Sequence, residues 1–169
     1  MKRLLIVALA VGLAQCERKA EAQAQAPSPA PPPAVGAMPV PGVVEVQAPK
    51  RVVPVTRSIE GGETQETVFA SVVVRNGLGV RIDAAVVGCR LTDGKLLVGE
   101  LVEPLPAGAS TGVQAWPAPG TRIDQPGGLL PVIEACGATN LIAGGKQALA
   151  PKGQLQARVT EADFKDPSR

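Results

Sequence analysis

The residues best able to do chemistry in this chain of 169 residues are its three cysteines, Cys16, Cys89 and Cys136. The chain contains no histidine, which excludes Ser-His-Asp and Cys-His catalysis and the usual zinc sites. It has no Cys-x-x-Cys pair, so thioredoxin-like exchange lacks its motif. Because Cys16 lies in an N-terminal leader, Cys89 and Cys136 are predicted to form one disulfide in an oxidising compartment. The alternative is two buried free thiols.

Glycine-rich segments raise nucleotide binding as a second possibility. Gly77–Gly79 lacks the third glycine of a dinucleotide-binding loop, and Ala143–Gln147 lacks the Ser or Thr of a phosphate-binding loop. Both segments are predicted to be turns. Acidic pairs could act as general acids, but dispersed carboxylates without a partner are typical of a solvated surface. The acidic pairs in question are Glu60/Glu63 and Glu100/Glu103. We therefore expect no catalytic, cofactor-binding or metal-binding site.

Trp116 is the only tryptophan, and the chain has no tyrosine. An exposed Trp116 would be a binding anchor, because tryptophan is enriched among the residues that dominate protein interfaces. A sole tryptophan at the end of a strand more often fills the core of a small sandwich. The sequence therefore favours a core position for Trp116.

The N-terminus has the layout of a secretory signal. Lys2 and Arg3 precede the apolar run 4–14, which is too short to span a membrane. The segment 13–16, Leu-Ala-Gln-Cys, resembles the lipobox of bacterial lipoproteins, with Gln15 where that family has a small residue. This resemblance implies cleavage before Cys16 and a lipid on its sulfur. Cleavage near Ala22 by an ordinary signal peptidase is the alternative, and the signal peptide is predicted to occupy residues 1–22.

Residues 23–50 are rich in alanine, glutamine and proline and poor in bulky apolar side chains, which predicts a disordered linker. The net positive charge of the chain belongs to the predicted signal peptide, so the mature protein is expected to be neutral. Loss of Lys2 and Arg3 with the leader takes the 17 basic residues to 15, against 15 acidic residues. A neutral protein lacks the basic field that phosphate binding needs, so nucleic acid is excluded as an expected partner.

Residues 51–160 are predicted to form an all-β domain, followed by a flexible tail at 161–169. Gln65–Asn76 alternates, with Val68, Ala70, Val72 and Val74 on one face. Arg81–Leu91 alternates likewise and points Cys89 inward, where a bridge between two sheets would start. Thr92–Lys95 predicts a hairpin turn. The segment 129–136 suits a strand or a helical turn. Short strands with frequent turns indicate a β-sandwich.

Four segments together resemble the bacterial immunoglobulin-like modules of the FxLYD type: the strand Val72–Asn76, the Val86-x-x-Cys89 strand, the hairpin Asp93–Lys95 and the turn Leu105–Gly108. The match covers about residues 66–116 and lacks the family's aromatic-rich signature. The resemblance implies a small immunoglobulin-like β-sandwich of a non-enzymatic envelope protein. It carries no functional residues to this chain.

The expected function is that of a non-enzymatic module in the periplasm, soluble or lipid-anchored to a membrane, that binds or scaffolds an envelope protein partner. An accessory subunit of a secretion or transport assembly is the first alternative, for which strand addition at an open sheet edge would be a natural contact. An enzyme that uses carboxylates or a thiol is the second.

Overall fold

The computed structural model describes residues 38–58, 62, 64–123 and 129–167. The predicted signal peptide, Cys16 and most of the predicted linker lie outside these residues. The described residues form nine strands and a short 3-10 helix at Glu161–Asp163. The strands are β1 (Val43–Gln47), β2 (Val53–Ser58), β3 (Thr64–Asn76), β4 (Ile82–Leu91), β5 (Leu96–Glu100), β6 (Ser110–Pro117), β7 (Ile133–Ala143), β8 (Lys146–Leu149) and β9 (Arg158–Thr160).

All strand pairs are antiparallel, and hydrogen bonding orders them β8-β7-β4-β5-β6-β3-β1-β9, with β2 on β3. One group, β9-β1-β3-β6, meets the other, β8-β7-β4-β5, where β5 pairs with β6. The two groups meet again where Gln156, just before β9, pairs with Ala138 of β7. Gly137 allows this second junction, because a Cβ there would lie 2.5 Å from the Gln156 nitrogen. The predicted all-β fold is confirmed.

Alternation along the central strands builds the core. Val68, Ala70, Val72 and Val74 of β3 have no exposed surface, and their neighbours in sequence lie on the opposite face. β4 contributes its inward residues in the same way, as its pattern predicts. The buried hydrophobic residues in the described part of the chain are aliphatic or small, and the partly buried Phe164 packs against them. This core therefore forms without a central aromatic side chain.

β1 shows that the predicted linker 23–50 extends too far toward the C-terminus. Val44 and Val46 are buried, and β1 pairs with both β3 and β9. Gly77 lets this segment approach, since a Cβ there would lie 1.8 Å from the Val40 carbonyl oxygen. The alternation in β1 spans only five residues and follows a proline-rich run, so composition hides it.

The predicted flexible tail is wrong for its described residues. Lys165 exchanges backbone hydrogen bonds with Gln147 of β8, and Phe164 packs against the core. The Asp163 carboxylate accepts hydrogen bonds from the Thr160 backbone N–H and hydroxyl, which holds the pKa of Asp163 below its ordinary value. The backbone hydrogen bonds of Lys165 hold this segment at the edge of the sheet beside β8.

The ambiguous segment 129–136 leads into β7, which begins at Ile133, and the helical alternative is wrong. The predicted turn at Ala143–Gln147 is confirmed between β7 and β8, where Gly144 and Gly145 have φ values of 55° and 76°. The predicted hairpin at Thr92–Lys95 is confirmed between β4 and β5. There Gly94 has φ 81°, and the Lys95 N–H donates to the Asp93 carboxylate, which lowers the pKa of Asp93.

Asn76 is the only buried polar residue in the described part of the chain, and it joins two loops, the one between β3 and β4 and the one between β5 and β6. Its Nδ2 lies 3.0 Å from each of three carbonyl oxygens, those of Val80, Leu105 and Pro106. Its Oδ1 accepts the Leu78 N–H at 3.0 Å. The predicted turn at Gly77–Gly79 is therefore held by the asparagine that precedes it.

Candidate functional site

A cluster of three large side chains lies on the outer face of the sheet, where β2, β3 and β6 run side by side. The Phe69 and Trp116 ring centroids are 4.9 Å apart, with their planes inclined by 31°. The Arg57 guanidinium carbon lies 4.0 Å from the centroid of the Trp116 ring, within the range of a cation–π interaction. We call Arg57, Phe69 and Trp116 the Trp116 cluster.

The strand registers explain why these residues meet. Ala70 of β3 is opposite Ala115 of β6, so the next pair along the two strands is Phe69 and Trp116. Ala70 and Ala115 are fully buried, and successive side chains alternate between faces, so Phe69 and Trp116 point outward. β2 pairs with the N-terminal half of β3 and carries Arg57 on the same face.

The expected core position of Trp116 is therefore wrong: the side chain is half-buried on the outer face. The sequence held a signal for this outcome, because Val113 and Ala115 occupy the inward positions of β6 and leave Trp116 the outward one. The alternation of β6, and not the usual core position of a sole tryptophan, determines the direction of this side chain. The partners Phe69 and Arg57 required the strand pairing and could not be read from spacing alone.

A groove of about 740 Å³ runs from Trp116 along the free edge of β6. Its other wall is the chain from Glu100 to Pro106, which leaves β5 and crosses toward β4. Two carboxylates, Glu100 and Glu103, are the only charged side chains among the described residues that line it. We call this the β6 groove. Its floor and walls are otherwise apolar or neutral, with Leu101 and Val102 among them.

Cys89 and Cys136 form a disulfide between directly opposed residues of β4 and β7, with their Cα atoms 4.1 Å apart. The predicted pairing is thus present, but the bridge joins neighbouring strands of one sheet and not two facing sheets. The predicted inward direction of Cys89 is confirmed, since Cys89 is fully buried and Cys136 is 5% exposed. Both sulfurs are bonded, which leaves neither as a free nucleophile in this state.

The remaining candidate residues form no catalytic arrangement among themselves in the described residues. Glu60 and Glu63 lie outside those residues, and Glu100 and Glu103 stand together only as walls of the β6 groove. No group of three or more His, Cys, Asp or Glu side chains with metal-binding geometry occurs in residues 38–58, 62, 64–123 and 129–167. Over the same residues, none of the helices has the length and apolar character needed to cross a membrane.

Comparison of the chain with family models, with curated proteins and with solved structures finds no match. The Trp116 cluster and the β6 groove are therefore the features of this chain from which we infer its function.

Proposed function

We propose that this chain is an exported, non-enzymatic protein of a bacterial-type envelope that binds or scaffolds a protein partner through the Trp116 cluster. The observation that carries the proposal is the outward position of Trp116 against Phe69 and Arg57. Tryptophan and arginine are the residue types most enriched where binding energy concentrates in protein interfaces. A rigid aromatic pair with a cation above it offers a partner both apolar area and charge.

The cluster is notable because aromatic residues are scarce in this chain. Trp116, Phe69 and Phe164 are its only aromatic side chains. The core consists mainly of valine, leucine, isoleucine and alanine, and Phe164 packs against it. Core packing therefore accounts for Phe164 but does not account for Phe69 and Trp116, which lie on the outer face. Placing two of three aromatic residues side by side on a surface supports a role in recognition.

Export is part of the proposal and is supported by the N-terminal pattern of the sequence and by the Cys89–Cys136 disulfide. Disulfides persist in oxidising compartments such as the periplasm and are rare in the cytosol. The mature protein is then either soluble in the periplasm or anchored in a membrane by a lipid on Cys16.

The intact mass of the protein purified from cells tests export. We expect loss of residues 1–15 with added acyl chains, or cleavage near Ala22. An unprocessed chain would contradict export.

We expect substitution of Trp116 with alanine to abolish binding of the partner protein. The test is in-cell crosslinking of a C-terminally tagged copy, with the co-purified envelope proteins identified and quantified. One reproducible partner should fall at least about tenfold in yield for Trp116→Ala, as for loss of an interface hot spot of more than about 1.4 kcal/mol. A loss of about 2–3 kcal/mol in stability is expected as well, because the substitution removes the contacts with Arg57 and Phe69 and the apolar area that the half-buried ring covers. Circular dichroism of the purified variant checks that it remains folded.

The matched control is Leu149→Ala on β8, which shortens another large exposed side chain at 63% exposure, far from the cluster along the sheet. This variant should keep the partner. Equal yields from Trp116→Ala and the parent protein would overturn the proposal. The narrower alternative, an accessory subunit of a secretion or transport assembly, uses the same surface, and the identity of the partner decides it.

A further inference from the structure

The edge of β6 that faces the β6 groove lacks a neighbouring strand along half its length. β3 pairs with the other edge, from Ser110 to Ala115. β5 pairs with β6 only through Leu97 and Val98, opposite Pro117 and Trp116. At Gly99 the two backbones come so close that a Cβ would lie 2.5 Å from the Gln114 carbonyl oxygen. Beyond Gly99 they diverge, because the Leu101 N–H donates to Ala85 of β4.

The hydrogen-bond phase of β6 directs backbone groups into the opening. The Asn76 N–H donates to the Ala109 carbonyl, and its carbonyl accepts from the Gly108 N–H, so the Asn76 backbone faces β6. Counting back two residues, Val74 also faces β6, and it is opposite Thr111. Alternate residues of an antiparallel strand face opposite edges. The N–H and carbonyl of Gly112 therefore point away from β3 and toward the β6 groove.

The size of the groove suits a short extended segment. The open edge from Ser110 to Val113 is about 13 Å long at ~3.3 Å per residue. The groove volume of about 740 Å³ falls within the ~300–1,000 Å³ range of small binding sites. Main-chain hydrogen bonds to such an edge supply affinity, and pockets for alternate side chains supply specificity. The geometry therefore admits one added strand of about four residues.

The charge of the groove lining indicates the chemistry of the segment that the groove would bind. Glu100 and Glu103 line the wall, and neither forms an ion pair within the described part of the chain. Among the described residues that line the groove, none has a basic side chain. An added strand with lysine or arginine facing this wall would be attracted, and an acidic one would be repelled. The exposed Val102 side chain and Trp116 offer apolar contacts for the residues between.

We propose that the β6 groove binds an extended basic segment of the partner protein as an added strand on the free edge of β6. This inference rests on the proposed function, because it names the part of the partner that is held beside the Trp116 cluster. It differs from that proposal in requiring backbone hydrogen bonds to β6 and a negative wall, neither of which the Trp116 cluster supplies.

The test uses the full mature, oxidised protein and two fluorescein-labelled hexapeptides, one alternating Lys-Val and one alternating Glu-Val. Fluorescence polarisation at low salt should give an affinity at least about tenfold higher for the Lys-Val peptide. The double variant Glu100→Gln/Glu103→Gln should remove most of this difference. A Lys-Val peptide methylated on alternate backbone nitrogens, in each of the two phases, should bind normally in one phase and at least about tenfold more weakly in the other.

Two substitutions at Gly112 form a matched pair of variants that tests the backbone hydrogen bond from the side of this protein. Gly112→Ala keeps the N–H, and its Cβ would meet only the Ser71 hydroxyl, at 3.8 Å. Gly112→Pro removes the N–H that faces the groove and spares the ladder with β3. We expect normal peptide affinity in the alanine variant and at least a tenfold loss in the proline variant, with both folded by circular dichroism. If the proline variant does not fold, the methylated peptides still decide.

Three results would overturn the inference: no binding of the Lys-Val peptide, equal binding of both peptides, or no effect of methylation in either phase. A stable dimer that the peptide does not dissociate would assign the edge to a second copy and overturn it as well. The peptide results are independent of the partner yield that is measured in cells for Trp116→Ala. Failure of the inference can therefore be distinguished from failure of the proposed function.

Discussion

Asn76→Ala is expected to lower the free energy of unfolding by about 2–4 kcal/mol, because it takes the Asn76 amide away from the Leu78 N–H and the Val80 carbonyl, and each buried group left unpaired costs about 1–3 kcal/mol. The Leu105 and Pro106 carbonyls keep the N–H groups of Ile82 and Ala109 as donors. The amide of Asn76 shares its two hydrogens among three carbonyl oxygens and accepts the Leu78 N–H. The side chain has no exposed surface, so water cannot replace it without rearrangement. Urea denaturation of the purified oxidised protein measures the change.

Two variants sharpen this test. Asn76→Asp keeps the shape but places a second acceptor against three carbonyl oxygens, so it should be at least as destabilising as alanine. Asn140→Ala is the control, because its half-buried side chain has the single partner Gln147 among the described hydrogen bonds. It should cost about 1 kcal/mol or less. An Asn76→Ala effect no larger than that of Asn140→Ala would show that the two loops keep their conformation without the Asn76 side chain.

Removal of the Cys89–Cys136 disulfide is expected to lower stability by about 4 kcal/mol in the chain-entropy model, because the bridge closes a long loop. That loss is a large share of the roughly 5–15 kcal/mol that stabilises a typical domain. The double variant Cys89→Ala/Cys136→Ala should therefore unfold at a markedly lower urea concentration than the oxidised parent. Thiol labelling without reductant should modify neither cysteine in the native parent protein.

The chemical control is the parent protein after reduction, which should lose stability to a similar extent as the double variant. Cys89→Ala alone should cost about as much as both substitutions together, since either one breaks the same bond. An oxidised parent and a double variant with equal unfolding midpoints would contradict the expectation. Such a result would mean that the β4–β7 ladder alone holds these strands together.

The sequence predicts the parts of this fold in which local pattern and burial agree. The inward faces of β3 and β4 follow from a period of two, and the Thr92–Lys95 hairpin follows from Asp-Gly at its turn. The pairing of Cys89 with Cys136 follows from elimination, because two cysteines remain after the leader. These features depend on neighbours in the chain, which a sequence displays directly.

The features that the sequence hides depend on distant partners. β1 is short and follows a proline-rich segment, and only its place between β3 and β9 makes it a strand. Asn76 resembles an ordinary turn residue until the loop at Leu105 and Pro106 folds against it. Trp116 takes its surface role from Phe69 and Arg57, which are 47 and 59 positions away in the chain.

The central claim, that the outer face of β3 and β6 binds a protein partner, is tested most directly by site-specific photocrosslinking in cells. A photoreactive amino acid placed at Gln114 lies on the exposed face of β6 beside Trp116, and one placed at Leu149 lies on β8. We predict one reproducible crosslinked partner from position 114, lost on Trp116→Ala, and none from position 149. Crosslinks of equal yield from both positions, or none from position 114, would contradict the claim.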